Sequence, residues 1–358
     1  MQTQYFIGMD LHQKTSTFSV KTKEGAVIDE RTIPTSPEEI KKYLAPYAGS
    51  KLVHEPVSQW YFYADFIEAL GLDVTIANPL KTKAIASARI KTDSIDAGVL
   101  ADLLRADLVA EAYHAPKDVR AWKELVRGRM ALVRLRTQLK NRMHALLWKE
   151  GLCRSRLFST KGQNWLAEQQ LSPEPTLTLG AYQRIRTFIE RELELLEKEV
   201  IRQVKSDAAA KLLTTIPGIS YISALTIMAE VGDIERFPTP QKFMSYCGLV
   251  PSTYSSGGKT RHGRIVKQGS SWMRYVLVEA AHHQERCTRV KGVGEYYGSV
   301  KERKGSSAAA VTTARKLAGI VWRVLKDKRA YIPQDEWDRT HLGASIHRPV
   351  HPHVIATS

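Results

Sequence analysis

The sequence predicts an α/β plus all-α protein: a mixed-sheet domain, a basic coiled-coil segment, and a mostly helical C-terminal domain. Three observations predict it. Short apolar runs give way to αβ alternation before residue 115. Leucines recur every seventh residue within a stretch dense in Lys and Arg. Helical patterning then resumes near Lys211, interrupted by one Gly/Ser-rich loop at 252–271. The expected domains are 1–115, 116–206 and 207–332, followed by a polar, His/Pro-rich tail over 333–358 that is expected to be poorly ordered.

Residues 4–10, 15–22 and 26–33 read as strands, with a turn at Lys23-Glu24-Gly25. A helix over 37–46, a strand over 51–54, and an apolar-faced helix over 58–70 bearing Trp60, Tyr63, Ala64, Ile67 and Leu70 come next. A strand over 74–77 ends at Asn78-Pro79, and a helix runs from about Asp93 to Leu104. Consecutive hairpins followed by αβ units imply a mixed sheet flanked by helices. Between Lys117 and Lys161 thirteen Lys or Arg residues face only Asp118, Glu124 and Glu150, while Leu125, Leu132, Leu139 and Leu146 mark a heptad seam. After a break at Ser172-Pro173-Glu174-Pro175, a second amphipathic helix is expected from about Tyr182 to Val204. Its seam is Ile185, Ile189, Leu193, Leu196 and Val200, free to pack antiparallel on the first helix or between subunits.

Lys plus Arg number 53 and Asp plus Glu 37, a net charge of +16 over 358 residues. A surplus of cations points to a polyanionic partner, although spread over several domains it also serves plain solubility. Cys153, Cys247 and Cys287 are scattered and form no CxxC pair, which argues against a structural zinc or a disulfide framework and for a reducing compartment. No apolar run approaches the roughly 20 residues that span a bilayer, and MQTQYFIGMD is not a signal peptide, so no membrane partner and a cytoplasmic location are expected.

Asp10 closes the first strand, Glu55 follows the fourth, and Asp93 and Asp96 sit three apart at a helix start. Strand ends in such a sheet lie side by side, so these four carboxylates can meet at one edge. Oxygen donors of this kind suit Mg²⁺, with Mn²⁺ as an alternative, and two such ions can clamp a phosphodiester. The plainer alternative reads Asp93 and Asp96 as a near capping box and the other two as ordinary strand-end acids. Asp102 is a weaker fifth candidate, because helical geometry turns it away from Asp93.

The string Gly248-Leu249-Val250-Pro251-Ser252-Thr253-Tyr254-Ser255-Ser256-Gly257-Gly258 leads into Lys259, Arg261, His262, Arg264 and Lys267, with no acid between Pro251 and Val278. A serine among cations suits an activated nucleophile on a phosphate. The alternative is a glycine loop that only grips phosphate. Arg120, Lys123, Arg127, Arg134, Lys140 and Arg142 add a basic face for nucleic acid.

Three blocks carry a family resemblance over about residues 5–330: FIGMD with HEP; NPLKTKAIASARIKTDSIDAGVLADLLR; and TIPGISYISALTIMAEVGDIERFPTPQKFMSYCGLVPSTYSSGGKTRHGRIVKQG. The chain resembles the DEDD transposases of the "IS one-ten" insertion sequences, bridge-RNA-guided recombinases related to pilin-gene invertases. The resemblance implies a RuvC-like, RNase H-type N-terminal domain whose DEDD set is Asp10, Glu55, Asp93 and Asp96, holding Mg²⁺. It implies a coiled coil over 118–205. It also implies a C-terminal transposase domain in which the serine of a Tyr-x-Ser-Gly string, here Ser256, attacks DNA; Ser255 stands beside it. Donor and target DNA, a structured guide RNA and a tetramer of paired dimers with shared active sites follow as implied partners, acting at the nucleoid of a prokaryotic cell. Ile216-Pro217-Gly218-Ile219-Ser220 resembles a helix-hairpin-helix turn with Ser220 in place of a second glycine. Residues 150–180 look longer than in compact members. Two other readings remain open at this stage: a metal-only RuvC-like nuclease or Holliday-junction resolvase, and a non-catalytic nucleic-acid-binding scaffold.

Overall fold

Period-two patterning in the N-terminal runs builds a five-stranded sheet. The computed structural model describes residues 4–85, 93–256, 259–266, 268–286 and 292–333, without the side chains of residues 84, 85, 93, 94, 253–256, 259–262, 285 and 286. Strands β1 (Phe6–Leu11), β2 (Thr15–Lys21) and β3 (Val27–Pro34) form an antiparallel meander. Helix α1 (Pro37–Leu44) follows, its first turn capped by Ser36 Oγ, which accepts from Glu39 N at 3.3 Å. Then come β4 (Lys51–His54), α2 (Trp60–Ala69), β5 (Asp73–Ile76), α3 (Pro79–Ile85) and α4 (Asp93–Arg105). The sheet order is β3-β2-β1-β4-β5, with β4 parallel to both β1 and β5. This is the mixed sheet that the sequence predicts.

Two apolar clusters cover the two faces of this sheet. Ile7, Met9 and Leu11 of β1 and Leu52 of β4 pack with Ile40 of α1 and Ile67 of α2. Val53 and the half-buried Phe6 pack instead with Leu100 and Leu104 of α4. Gly8 lets α4 approach β1 closely, since a Cβ there would lie 1.9 Å from the carbonyl oxygen of Ala97. The buried Lys21 fixes the same helix: its ammonium donates to Gly98 O at 3.0 Å and pairs with Asp102 at 2.6 Å. Asp102 is thus engaged as a brace of the helix on the sheet.

Residues 1–115 and 116–358 form two separate units. In the second, α5 (Lys117–Lys149), α6 (Thr160–Ala167) and α7 (Pro173–Ser206) precede α8 (Ala208–Leu213), α9 (Tyr221–Val231) and α10 (Pro240–Tyr246). The hairpin of β6 (Pro251–Ser256) and β7 (Lys259–Ile265) leads to α11 (Ser271–Arg286), α12 (Val293–Lys304) and α13 (Ser306–Asp327). Helices α5 and α7 run antiparallel, with Trp122 Nε1 donating to Gln203 and Arg129 pairing with Glu197. Val126, Val200 and Val204 from this pair share one apolar core with Leu225, Phe243 and Leu317.

Several expectations change. The basic helix stops at Lys149, where Gly151 adopts a φ of +73°, so Arg154, Arg156 and Lys161 of the thirteen cations lie beyond it; α6 is a separate short helix. Pro173 and Pro175 do not break the chain. They stand in the first turn of α7, where backbone N–H groups have no helical partner to lose, so that helix starts nine residues before the expected Tyr182. Pro79 opens α3 in the same way, a helix the sequence reading missed. The heptad leucines 125, 132, 139 and 146 are only partly covered; Val119, Val126, Met143 and Leu147 are the buried positions of α5. In α7, Ile189, Leu193 and Val200 are buried as expected, whereas Ile185 is exposed. The glycine-rich stretch forms a β-hairpin instead of a loop. Among the described residues no helix is long and apolar enough to cross a membrane. Tail residues 334–358 lie outside the described residues.

Candidate functional site

In the first unit the strand register assembles the site. Met9 pairs with His54 across the parallel β1–β4 ladder, so Asp10 and Glu55 each follow the same rung at one sheet edge. Side chains alternate between faces along a strand. Asp10 therefore shares the face of Phe6 and Gly8, the face that α4 covers, and Glu55 is the first residue past β4, two beyond Val53 of the same face. Lys21, which pairs with Phe6, contacts Gly98 and Asp102, whereas Gly8 lies under Ala97. That order directs the N-terminal turn of α4, with Asp96 and the backbone of Asp93, toward the Asp10 end of β1.

The Asp10 side chain is 19% exposed, and its Oδ2 lies 3.0 Å from Nε2 of His12. The chain beyond β1 is pinned where the His12 carbonyl accepts from Gln59 Nε2 at 2.9 Å and from Thr35 Oγ1 at 3.0 Å. His54 is buried beneath this edge, and burial pushes its imidazole down to about 4, so the ring is neutral. Its Nδ1 lies 2.9 Å from the Glu55 carbonyl, while Nε2 has no hydrogen-bond partner among the described residues. Among the described residues no three His, Cys, Asp or Glu side chains form a ready metal cage; the Asp93 side chain lies outside them. The donor chemistry nonetheless fits a hard cation, since Asp10 and Glu55 are carboxylates whose backbone positions follow the same rung at one sheet edge.

In the second unit Ser256 is the last ladder residue of β6 and pairs with Lys259 of β7; residues 257 and 258 between them lie outside the described residues. Ser255 pairs with Thr260 and Tyr254 with Arg261. The hairpin is held at its feet. Val266 N donates to Val250 O at 2.8 Å, and Ser270 N donates to Tyr246 O at 2.9 Å. Gly269 has a φ of +114°, and a Cβ there would sit 2.2 Å from the Tyr246 carbonyl oxygen. Arg264 on β7 is exposed, and Lys267 lies outside the described residues.

The basic face of α5 is partly engaged within the unit. Arg127 pairs with the buried Glu230 at 2.8 Å. Burial lowers the ammonium pKa of Lys123 beside the same carboxylate. Arg134 lies over the Trp272 ring at 5.1 Å and Lys140 over the Phe158 ring at 4.8 Å. Arg120 is half-buried and Arg142 exposed. Sequence reasoning missed Glu230, although its signal was present: it is the one charged residue in the mostly apolar YISALTIMAEV of α9. His12, His54 and Gln59 carried no comparable signal, because their importance comes from strand ends meeting in space.

Two family models match the chain. A transposase model of the DEDD IS110 type matches residues 7–149, and the model described as "Transposase IS116/IS110/IS902 family" matches residues 210–297. The chain is 25% identical to a probable family 20 transposase of Pseudomonas aeruginosa over 336 residues, covering 91% of this chain and 98% of that protein. It is 27% identical to the transposase for insertion sequence element IS1328 of Yersinia enterocolitica, over 89% of this chain and 96% of the relative. It is 28% identical to the transposase for insertion sequence element IS1111A of Coxiella burnetii, over 76% of each.

Proposed function

The chain belongs to the IS110-type DEDD transposase family, and from that premise we propose that it cuts and rejoins DNA at the ends of an insertion sequence, with Ser256 as nucleophile. The hydroxyl of Ser256 attacks a DNA phosphorus. An Oγ–P bond forms as the bond to the sugar oxygen breaks; the hydroxyl proton leaves to solvent, and the departing sugar oxygen takes one up. The phosphoserine link conserves the phosphodiester's energy, so a sugar hydroxyl from the partner strand reverses the step and reseals the DNA without a nucleotide cofactor.

Asp10, Glu55, Asp93 and Asp96 would hold Mg²⁺, or Mn²⁺ in its place, which when bound supplies positive charge to the scissile phosphate. Arg261, Arg264, Lys259 and Lys267 neutralise the phosphoryl oxygens as charge builds on them. The observation that carries this reading is the register of β1 on β4: two carboxylate positions far apart in sequence follow the same rung, on the face covered by the helix that begins with Asp93 and Asp96. A structured guide RNA selects donor and target by base pairing, and the protein reads its backbone through exposed cations such as Arg142. The acting form is a homo-oligomer of paired dimers.

The test uses the full-length protein, RNA transcribed from the non-coding DNA beside its gene, and a duplex spanning an element end. The expected product on a denaturing gel is a covalent protein–DNA band that disappears with Ser256→Ala. Cleavage that persists in Ser256→Ala without any band would make the protein a metal-dependent nuclease. Binding without cutting, unchanged by Asp10→Asn, would make it a scaffold.

A further inference from the structure

We propose that Glu230 is a positioning residue for the hairpin that carries Ser256, its carboxylate holding the foot at Ser270. A lone carboxylate near the end of an apolar helix is costly to bury, and a well-packed apolar side chain of similar size is often the cheaper choice. The bonds that the Glu230 carboxylate makes to Ser270 and Arg127 explain its presence, and the second foot rests on the residue's backbone carbonyl. Its Oε2 accepts from Ser270 Oγ at 3.0 Å, and its backbone carbonyl accepts from the Tyr246 hydroxyl at 2.9 Å. Tyr246 stands before β6, and Ser270 stands after β7. Burial beside Glu230 pushes the Tyr246 hydroxyl up to about 12, so it stays a donor.

The two feet are also tied to each other, because Ser270 N donates to Tyr246 O. Ser270 Oγ accepts in turn from Met273 N at 3.2 Å and so caps α11 while its proton goes to Glu230. The other carboxylate oxygen of Glu230 accepts from Arg127 Nη2, which joins α5 to the same point. A second link from α5 lies seven residues on, where Arg134 stacks over Trp272 in the first turn of α11. Gly248 and Gly269, both with positive φ, let the feet close to these distances. A hairpin tethered at both feet presents its last ladder residue, Ser256, from a fixed base.

This inference rests on Ser256 being the nucleophile, and two readouts separate the claims. The first is the rate of covalent adduct formation at saturating DNA, with the full-length protein, the transcribed RNA and the element-end duplex. Glu230→Gln keeps the volume but loses the charge and one acceptor. It should slow adduct formation about tenfold or more, the size expected for one hydrogen bond to a charged group, while the half-saturating DNA concentration stays constant. Ser270→Asp retains a good cap for α11 but sets a like charge against Glu230, and should slow the reaction similarly. Combining the two lets the Gln amide donate to the new carboxylate, and should recover most of the rate. A wild-type rate in Glu230→Gln or in Ser270→Asp overturns the proposal.

The second readout is amide hydrogen exchange over 251–265 without nucleic acid. Glu230→Gln should raise it at least tenfold, with α7 unchanged as an internal control. Unchanged hairpin exchange overturns the proposal too. Should the wild-type protein form no adduct, the nucleophile reading fails, and hydrogen exchange alone then decides whether Glu230 holds the hairpin.

Discussion

The sheet edge of the first unit and the hairpin of the second hold their functional positions by opposite means. At the sheet edge, Asp10 and Glu55 are placed by ladder register and by a helix seated on Gly8, so many cooperating backbone bonds and apolar contacts share the task. At the hairpin, Ser256 ends a short two-stranded ladder, and a few polar bonds through Glu230, Tyr246 and Ser270 fix its base. Ligands for a hard cation benefit from a rigid frame. On the proposed function Ser256 first attacks and is later released, which suits a small element held at its feet.

On the proposed function, the largest effects should come from the reacting groups. Asp10→Asn keeps shape and register but removes a charged donor. It should lower strand exchange at least about a thousandfold while the melting temperature stays within a few degrees of wild type, as read by gel assay and calorimetry. A mutant retaining a tenth of the activity would separate the sheet edge from the chemistry. Gly8→Ala reverses that pattern. Its Cβ would meet the Ala97 carbonyl at 1.9 Å, so it should cost the first unit about 3 kcal/mol or more in denaturant unfolding, with the second unit unaffected. Gly8→Ala at wild-type stability would show that α4 does not depend on this approach.

His54 gives the sheet edge a pH dependence. The fold holds it neutral down to about 4, whereas in the unfolded chain it titrates at its ordinary 6.5. Below 6.5 the unfolded state takes up a proton that the folded state refuses. The stability due to this residue is therefore complete above 6.5 and is lost as pH falls toward 4, by on the order of 3 kcal/mol. Replacing it by Leu should flatten that slope in unfolding curves measured across the window; an unchanged slope assigns the acid sensitivity elsewhere. The smallest effect is expected at Lys21→Met. Asp102 is 49% exposed and rehydrates when its partner is lost, so the cost should be about 1 kcal/mol, with a rise in the Mg²⁺ concentration needed for half-maximal activity as α4 loosens. A stability loss without that rise would confine Lys21 to folding.

The same contrast explains what could be read from the chain. Alternating apolar residues with clear turn residues gave β1 through β5 to within a residue or two, and with them the edge on which Asp10 and Glu55 fall. Proline misled the reading twice: Pro79 and Pro173 look like stops, yet each opens a helix, because only the first turn can spare the N–H. The heptad leucines pointed to the right helix but not to its buried stripe, since α5 packs on both α7 and α9 and covers positions such as Val126 instead. The Gly/Ser-rich composition concealed a hairpin, because the bonds that tie its feet, through Tyr246 and Ser270, join residues that flank the Gly/Ser run and have no signature within it. Asp102 looked like a spare ligand until Lys21, distant in sequence, was found beside it.

The central claim is that one serine becomes covalently joined to DNA. The most direct measurement digests the trapped protein–DNA complex with a protease and a nuclease and locates the nucleotide by tandem mass spectrometry. The account predicts a nucleotide-phosphate mass on Ser256, absent from Ser256→Ala and from Asp10→Asn. A nucleotide on Ser255 or on a tyrosine, or cleaved DNA with no modified peptide, would contradict it.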